Sequence, residues 1–128
     1  MDEEPCRVLV CDDNRDAADA AMMLLQIWGH QAMTAYSAAQ CIAVAKVFNP
    51  DIVLMDIGLP GKDGFAVKRE LGEYCPAARI VALTGFTQAD IARQARNDGF
   101  ADHLTKPVEA DEFKHVVDDQ CAIAKAAP

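Results

Sequence analysis

Three short, wholly apolar runs each end at a polar residue, and this constrains the fold more than any other feature of the chain. Val8-Leu9-Val10-Cys11 is closed by Asp12 and Asp13, Ile52-Val53-Leu54-Met55 by Asp56, and Ile80-Val81-Ala82-Leu83 by Thr84. A shorter stretch, His103-Leu104-Thr105, leads to Lys106 and Pro107. Runs that are apolar throughout, without alternation, fit strands covered on both faces of a parallel sheet. Helix-like segments lie between them, and this alternation implies βαβ units with helices on both faces. Parallel strands all point one way, so their closing residues collect at one sheet edge, where ligands bind in open α/β folds.

The helical segments carry their own punctuation. The first is expected from about Arg15 to Trp28, with Ala18, Ala21, Met22 and Leu25 as its core stripe and Gly29 as its stop. A second strand is placed near Gln31 to Tyr36. Ser37 followed by Gln40 reads as a capping box for a second helix, which buries Ala38, Cys41, Ile42 and Ala45 and stops at Asn49-Pro50. A loop rich in turn residues, Gly58 to Gly64, precedes a third helix with Val67 and Leu71 inward. Thr87 with Asp90 caps an expected fourth helix ending at Gly99. A fifth follows Pro107, with Phe113, Val116 and Val117 as its apolar face. The expected layout is an extension over residues 1–6, one domain over 7–121 and a tail over 122–128.

The 128 residues suit one domain with one core. An apolar share of 52% is too high for a disordered tail. No run approaches the roughly 20 apolar residues of a membrane span, and the acidic start lacks signal-peptide character. The expected location is therefore cytoplasmic. A net charge of −8 disfavours direct binding to nucleic acid or to anionic membranes. Five cysteines, an odd number without a Cys-x-x-Cys pair, argue against a disulfide framework and a zinc site. Cys11 and Cys41 read as buried small hydrophobes.

The candidate site is thus three carboxylates, a hydroxyl and an ammonium, which suits a divalent cation beside a phosphoryl group. Hard cations such as Mg²⁺ take oxygen ligands and keep waters, so Asp12, Asp13 and Asp56 suffice. Helix capping is the competing role for the tandem acids, although Asn14 is also available as a cap. Asp56 ends the most apolar strand, where an unpaired carboxylate is costly. It can serve as a nucleophile that forms an aspartyl-phosphate, or as a turn cap. Thr84 precedes Gly85, which leaves room beside its hydroxyl. Lys106 can reach a phosphoryl oxygen, and Pro107 fixes the turn that aims it.

Together these stretches resemble a response-regulator receiver domain of two-component signalling. The resemblance rests on Val8 to Asn14, Asp56 to Gly64, Ala82 to Gly85 and Leu104 to Pro107, in the family's order and spacing. It is strongest to receivers associated with hybrid sensor histidine kinases. It implies a flavodoxin-like, doubly wound α/β fold: a five-stranded parallel sheet of order 2-1-3-4-5 with five helices. It also implies that Asp56 is the phosphoacceptor, supplied by a histidine kinase or a histidine phosphotransfer protein. Mg²⁺ would be bound by Asp13, Asp56 and the backbone carbonyl of Gly58, with Asp12 acting largely through a bound water. Thr84 and Lys106 would hold phosphoryl oxygens.

A switch follows from the same resemblance. Thr84 would move toward the phosphoryl group, and the side chain three residues before the lysine would rotate inward. That position is His103, where tyrosine or phenylalanine is common in the family. The surface from Thr87 to about Cys121 would then rearrange. Gly58 and Phe86 occupy positions that influence water access in this family, and they imply slow self-hydrolysis. Two other functions compete. An aspartyl-nucleophile phosphatase needs a second acid two residues after the nucleophile, where this chain has Gly58. A phosphorylation-independent interaction module has no need of all five site residues.

Overall fold

The computed structural model describes residues 5–59, 64–85 and 99–126. The strands are β1 (Arg7–Cys11), β2 (Gln31–Ala35), β3 (Ile52–Asp56), β4 (Arg79–Gly85) and β5 (Asp102–Lys106). The helices are α1 (Arg15–Ile27), α2 (Ala38–Phe48), α3 (Gly64–Tyr74) and a C-terminal helix (Ala110–Ala126). All strand pairs are parallel, in the order β2-β1-β3-β4-β5. The expected fourth helix, with Phe86 just before it, lies outside the described residues.

Strand side chains alternate between faces, and here both faces are apolar. Val8, Val10, Ile52, Leu54, Val81 and Leu83 pack toward α1 and the C-terminal helix, against Leu25, Phe113 and Val117. Leu9, Cys11, Val53, Met55 and Ala82 pack toward α2 and α3, against Cys41, Ile42, Val67 and Leu71. The central strands therefore have no solvated face, which explains their unbroken apolar runs. Edge strand β2 differs. Only Ala35 of its five residues is fully buried, so its sequence carries the weakest pattern.

The local stops are specific. Asn14 caps α1 by accepting from Ala17 N at 3.1 Å. Gly29 follows α1 with φ of 96°, a left-handed conformation that favours glycine. Ser37 accepts from Gln40 N at 3.1 Å, but the returning Gln40 side chain bonds Tyr36 N at 2.7 Å, one residue earlier than a standard capping box. Asn49 ends α2 in the left-handed region at φ 53°.

The cysteines depart from expectation. Cys6 is joined to Cys121 and Cys11 to Cys41 as disulfides, and Cys75 is a buried free thiol. The Cα separations of 6.1 and 5.9 Å are ordinary for such bridges. The partners stand 115 and 30 residues apart in the chain, so no local spacing announced them. Burial of Cys11 and Cys41 was legible, whereas their pairing depends on α2 crossing the end of β1.

Candidate functional site: an acidic cluster at the carboxyl edge of the sheet

The register sets the site. Cys11 pairs with Met55, so the following residues, Asp12 and Asp56, leave neighbouring strands at one level. Oxygen atoms of Asp12, Asp13 and Asp56 all lie within 4.8 Å of one another. Lys106 reaches into the group, with Nζ 2.8 Å from Asp56 Oδ2 and 3.0 Å from Asp12 Oδ2. The Lys106–Pro107 peptide is cis.

The other oxygens of these acids hold backbone. Asp12 Oδ1 accepts from Asn14 N at 3.0 Å, and Asp56 Oδ1 from Gly58 N at 2.8 Å. Capping of α1 thus falls to Asn14, and Asp12 and Asp13 are free of that task. Asp56 braces the turn with one oxygen, as expected of a cap, and faces the lysine with the other.

Burial and charge oppose each other here. Asp12 is 3% exposed. Burial pushes its carboxyl above the ordinary aspartate range, against the Asn14 N–H and the Lys106 ammonium, which pull it down. Burial pulls the Lys106 ammonium down. Its bonds to Asp56 and Asp12, with their charges, outweigh that and raise it overall. One cation facing three carboxylates leaves the group anionic, and hard oxygen donors in that number fit a divalent cation such as Mg²⁺.

Thr84 lies on β4 and His103 on β5. Alternation places Thr84 with Ala82, on the face opposite Leu83. Ala82 pairs with His103 and Thr84 with Thr105, so Thr84 and His103 share one face of adjacent strands. Among the described residues, Thr84 Oγ1 and His103 Nδ1 are buried without a hydrogen-bond partner. The structure therefore brings Asp12, Asp13, Asp56 and Lys106 together, and places Thr84 and His103 on one shared face of β4 and β5.

The sequence did not reveal a cavity of about 350 Å³ next to the acids. It lies between α1 and the C-terminal helix, lined by Ala17, Ala20, Ala21, Leu24 and Phe113 and also by Asp12 and Lys106. The run of alanines on α1 was its signal, because small side chains leave space between packed helices.

A doubly wound parallel sheet with its polar cluster beyond the carboxyl strand ends defines a flavodoxin-like receiver architecture. The chain belongs to the response regulator receiver domain family, which its residues 8–118 match. PilH of Pseudomonas aeruginosa is 32% identical over 105 residues, covering 80% of this chain and 87% of that protein. The transcriptional regulatory protein ZraR of Salmonella typhimurium is 30% identical over 115 residues, and the chain spans only 26% of its length. Among solved structures, a receiver domain protein from Clostridium thermocellum superposes with a TM-score of 0.85 at 26% identity, covering 93% of this chain and 96% of that one. NtrX from Brucella abortus superposes with a TM-score of 0.90 at 29% identity, covering 95% of this chain and 28% of that one. Response regulators of this family are signalling modules that partner with histidine kinases. Among the described residues, no helix is long and apolar enough to cross a membrane.

Proposed function

We propose that this chain is the phosphoacceptor module of a two-component phosphorelay, with Asp56 as the residue that carries the phosphoryl group. The observation that supports this most is Lys106 Nζ, 2.8 Å from Asp56 and 3.0 Å from Asp12 within the acidic cluster. A lysine so placed marks where phosphoryl oxygens would sit. Asp13, Asp56 and the Gly58 carbonyl would bind Mg²⁺, and Asp12 would act through a water. The metal supplies neutralisation of charge on the transferring oxygens.

The protein's residues do the positioning. Asp56 Oδ2 attacks phosphorus in line, an O–P bond forms, and the P–N bond to the donor imidazole breaks. The leaving nitrogen takes a proton. Gly58 N–H fixes the other carboxylate oxygen, so the attacking one is aimed. Lys106 then exchanges its carboxylate bonds for a phosphoryl oxygen. The largely apolar cavity beside α1, which Asp12 and Lys106 also line, would seat a side chain of the donor.

Thr84 and His103 supply the switch. A buried hydroxyl without a partner costs free energy, so Thr84 gains by turning toward new phosphoryl oxygens. No bond at Nδ1 pins the His103 ring, and it can fill the space that Thr84 leaves. The responsive surface is the fourth expected helix, β5 and the C-terminal helix. Mg²⁺-dependent labelling by acetyl phosphate, read by intact mass, tests the proposal. Asp56→Ala abolishes labelling, and labelling that persists in this variant refutes the assignment.

A further inference from the structure

We infer that Cys11 and Cys41 form a reversible cross-link that positions the acidic cluster, making metal binding redox-dependent. This rests on the cluster being a Mg²⁺ site, as proposed above. Both cysteines are fully buried, at 0% exposure. Cys11 is the last residue of β1 and directly precedes Asp12 and Asp13. Cys41 lies in the first turn and a half of α2 and is held there by its N–H bond to Ser37 O at 2.9 Å. The bridge therefore ties the start of α2 to the backbone that presents two of the three acids.

The bridge adds to the contacts that hold that backbone, where Cys11 pairs with Ala35 and Met55 and Asp12 Oδ1 accepts from Asn14 N. Asp12 N donates to Ala35 O at 3.0 Å, at the end of edge strand β2. Asp13 is exposed and continues into the loop before α1. With the bridge closed, the three acids lie within 4.8 Å of one another. Opening it leaves two thiols that must each find room in a packed core without exposed surface, and close-packed interiors transmit such changes to their neighbours. The pair thus acts as positioning residues for the acids, whereas Cys6–Cys121 joins the chain ends away from the cluster.

The redox step balances with hydrogen peroxide as oxidant. Two S–H bonds and the O–O bond break, while one S–S bond and two O–H bonds form, releasing two waters. The sulfurs are oxidised and the peroxide oxygens reduced. A dithiol reductant reverses the state by two exchanges, leaving two protein thiols and its own disulfide. In reducing compartments such bonds are transient and sensory rather than permanent.

The test uses the Cys6→Ala/Cys121→Ala chain, which retains only the Cys11–Cys41 pair and Cys75. Peptide mapping after peroxide treatment of the folded protein should recover Cys11 linked to Cys41. Calorimetric titration with Mg²⁺ should give an affinity about tenfold higher in the oxidised than in the dithiothreitol-reduced protein, the lower end of outer-shell effects on metal sites. Adding Cys41→Ala, and separately Cys41→Val, should remove the difference. Equal Mg²⁺ affinity in the two states, or alkylation of both cysteines after peroxide, overturns the inference. Acetyl phosphate labelling of Asp56 run in parallel separates this from the functional proposal. Equal labelling in both states counts against the redox coupling alone, and its absence in both states counts against the proposed function.

Discussion

Asp12→Asn should make the metal-free protein more stable. Asp12 places a carboxyl at 3% exposure, where burial disfavours its charged form. Lys106 lies 3.0 Å away, an attraction of about 5 kcal/mol at an effective dielectric of about 20. Asp56 lies within 4.8 Å, a repulsion of about 3 kcal/mol on the same scale, and exposed Asp13 adds a smaller one. The charge effects nearly cancel, so burial decides, as the upward shift of the Asp12 carboxyl indicates. Asparagine keeps the oxygen that accepts from Asn14 N, and Lys106 keeps Asp56. Removing the buried charge should therefore gain about 1–2 kcal/mol.

The assay is urea unfolding in EDTA at pH 7, followed by the fluorescence of Trp28, the single tryptophan. The expected midpoint increase is about 0.5–1 M. A carboxyl whose folded value is raised favours the folded state while protonated and disfavours it once ionised. The advantage of the variant should vanish below the ordinary aspartate range and grow as pH climbs through the raised value. Saturating Mg²⁺ should reverse the ranking, since about 100-fold excess over Kd stabilises the wild type by about 2.7 kcal/mol. A variant less stable than wild type in EDTA at pH 7 refutes the reasoning.

Thr84→Val replaces a buried hydroxyl that has no partner among the described residues with a methyl group of similar shape. It should raise stability by about 1 kcal/mol in thermal unfolding, and blunt the phosphorylation-induced change in amide exchange over residues 99–126. Lys106 carries a raised ammonium, whose stabilising contribution is present below the ordinary lysine value and lost as pH rises through the raised one. Lys106→Met should therefore flatten the alkaline limb of a stability-versus-pH curve above about pH 10, and an unchanged limb counts against the ion pairs. Gly64→Ala places a Cβ 2.5 Å from Ile57 Cα, a collision with backbone. It should lower stability by about 1–3 kcal/mol in the same unfolding assay.

Most of the fold was legible because central strands buried on both faces write continuous apolar runs. Val8 to Cys11, Ile52 to Met55 and Ile80 to Leu83 were readable for that reason. β2 was the least readable strand, since an edge strand with one buried residue has little pattern to show. The tandem acids and Lys106 were placed correctly at one edge because parallel direction alone dictates it. Distant pairings were not legible. Cys6 meets Cys121, and Cys11 meets Cys41, only through the stacking of helices on the sheet. That Thr84 Oγ1 and His103 Nδ1 find no partner among the described residues depends equally on three-dimensional surroundings that a linear reading lacks.

The stagger of the strands has a consequence for how the site tolerates change. Asp56 pairs with Leu83, and Leu83 with Leu104, so Lys106 begins two residues beyond the level of the aspartate and its long stem must fold back. Two residues of strand is about 6.6 Å, and β4 stands between β3 and β5, so the ammonium reaches the aspartate only on a long stem. Deleting one residue from the connection into β5, with pairing re-formed one step over, would swing the ammonium to the opposite side of the sheet. The spacing between neighbouring strands is therefore a ruler, and a miscount of one would unmake the centre while leaving every one of its residues in the chain.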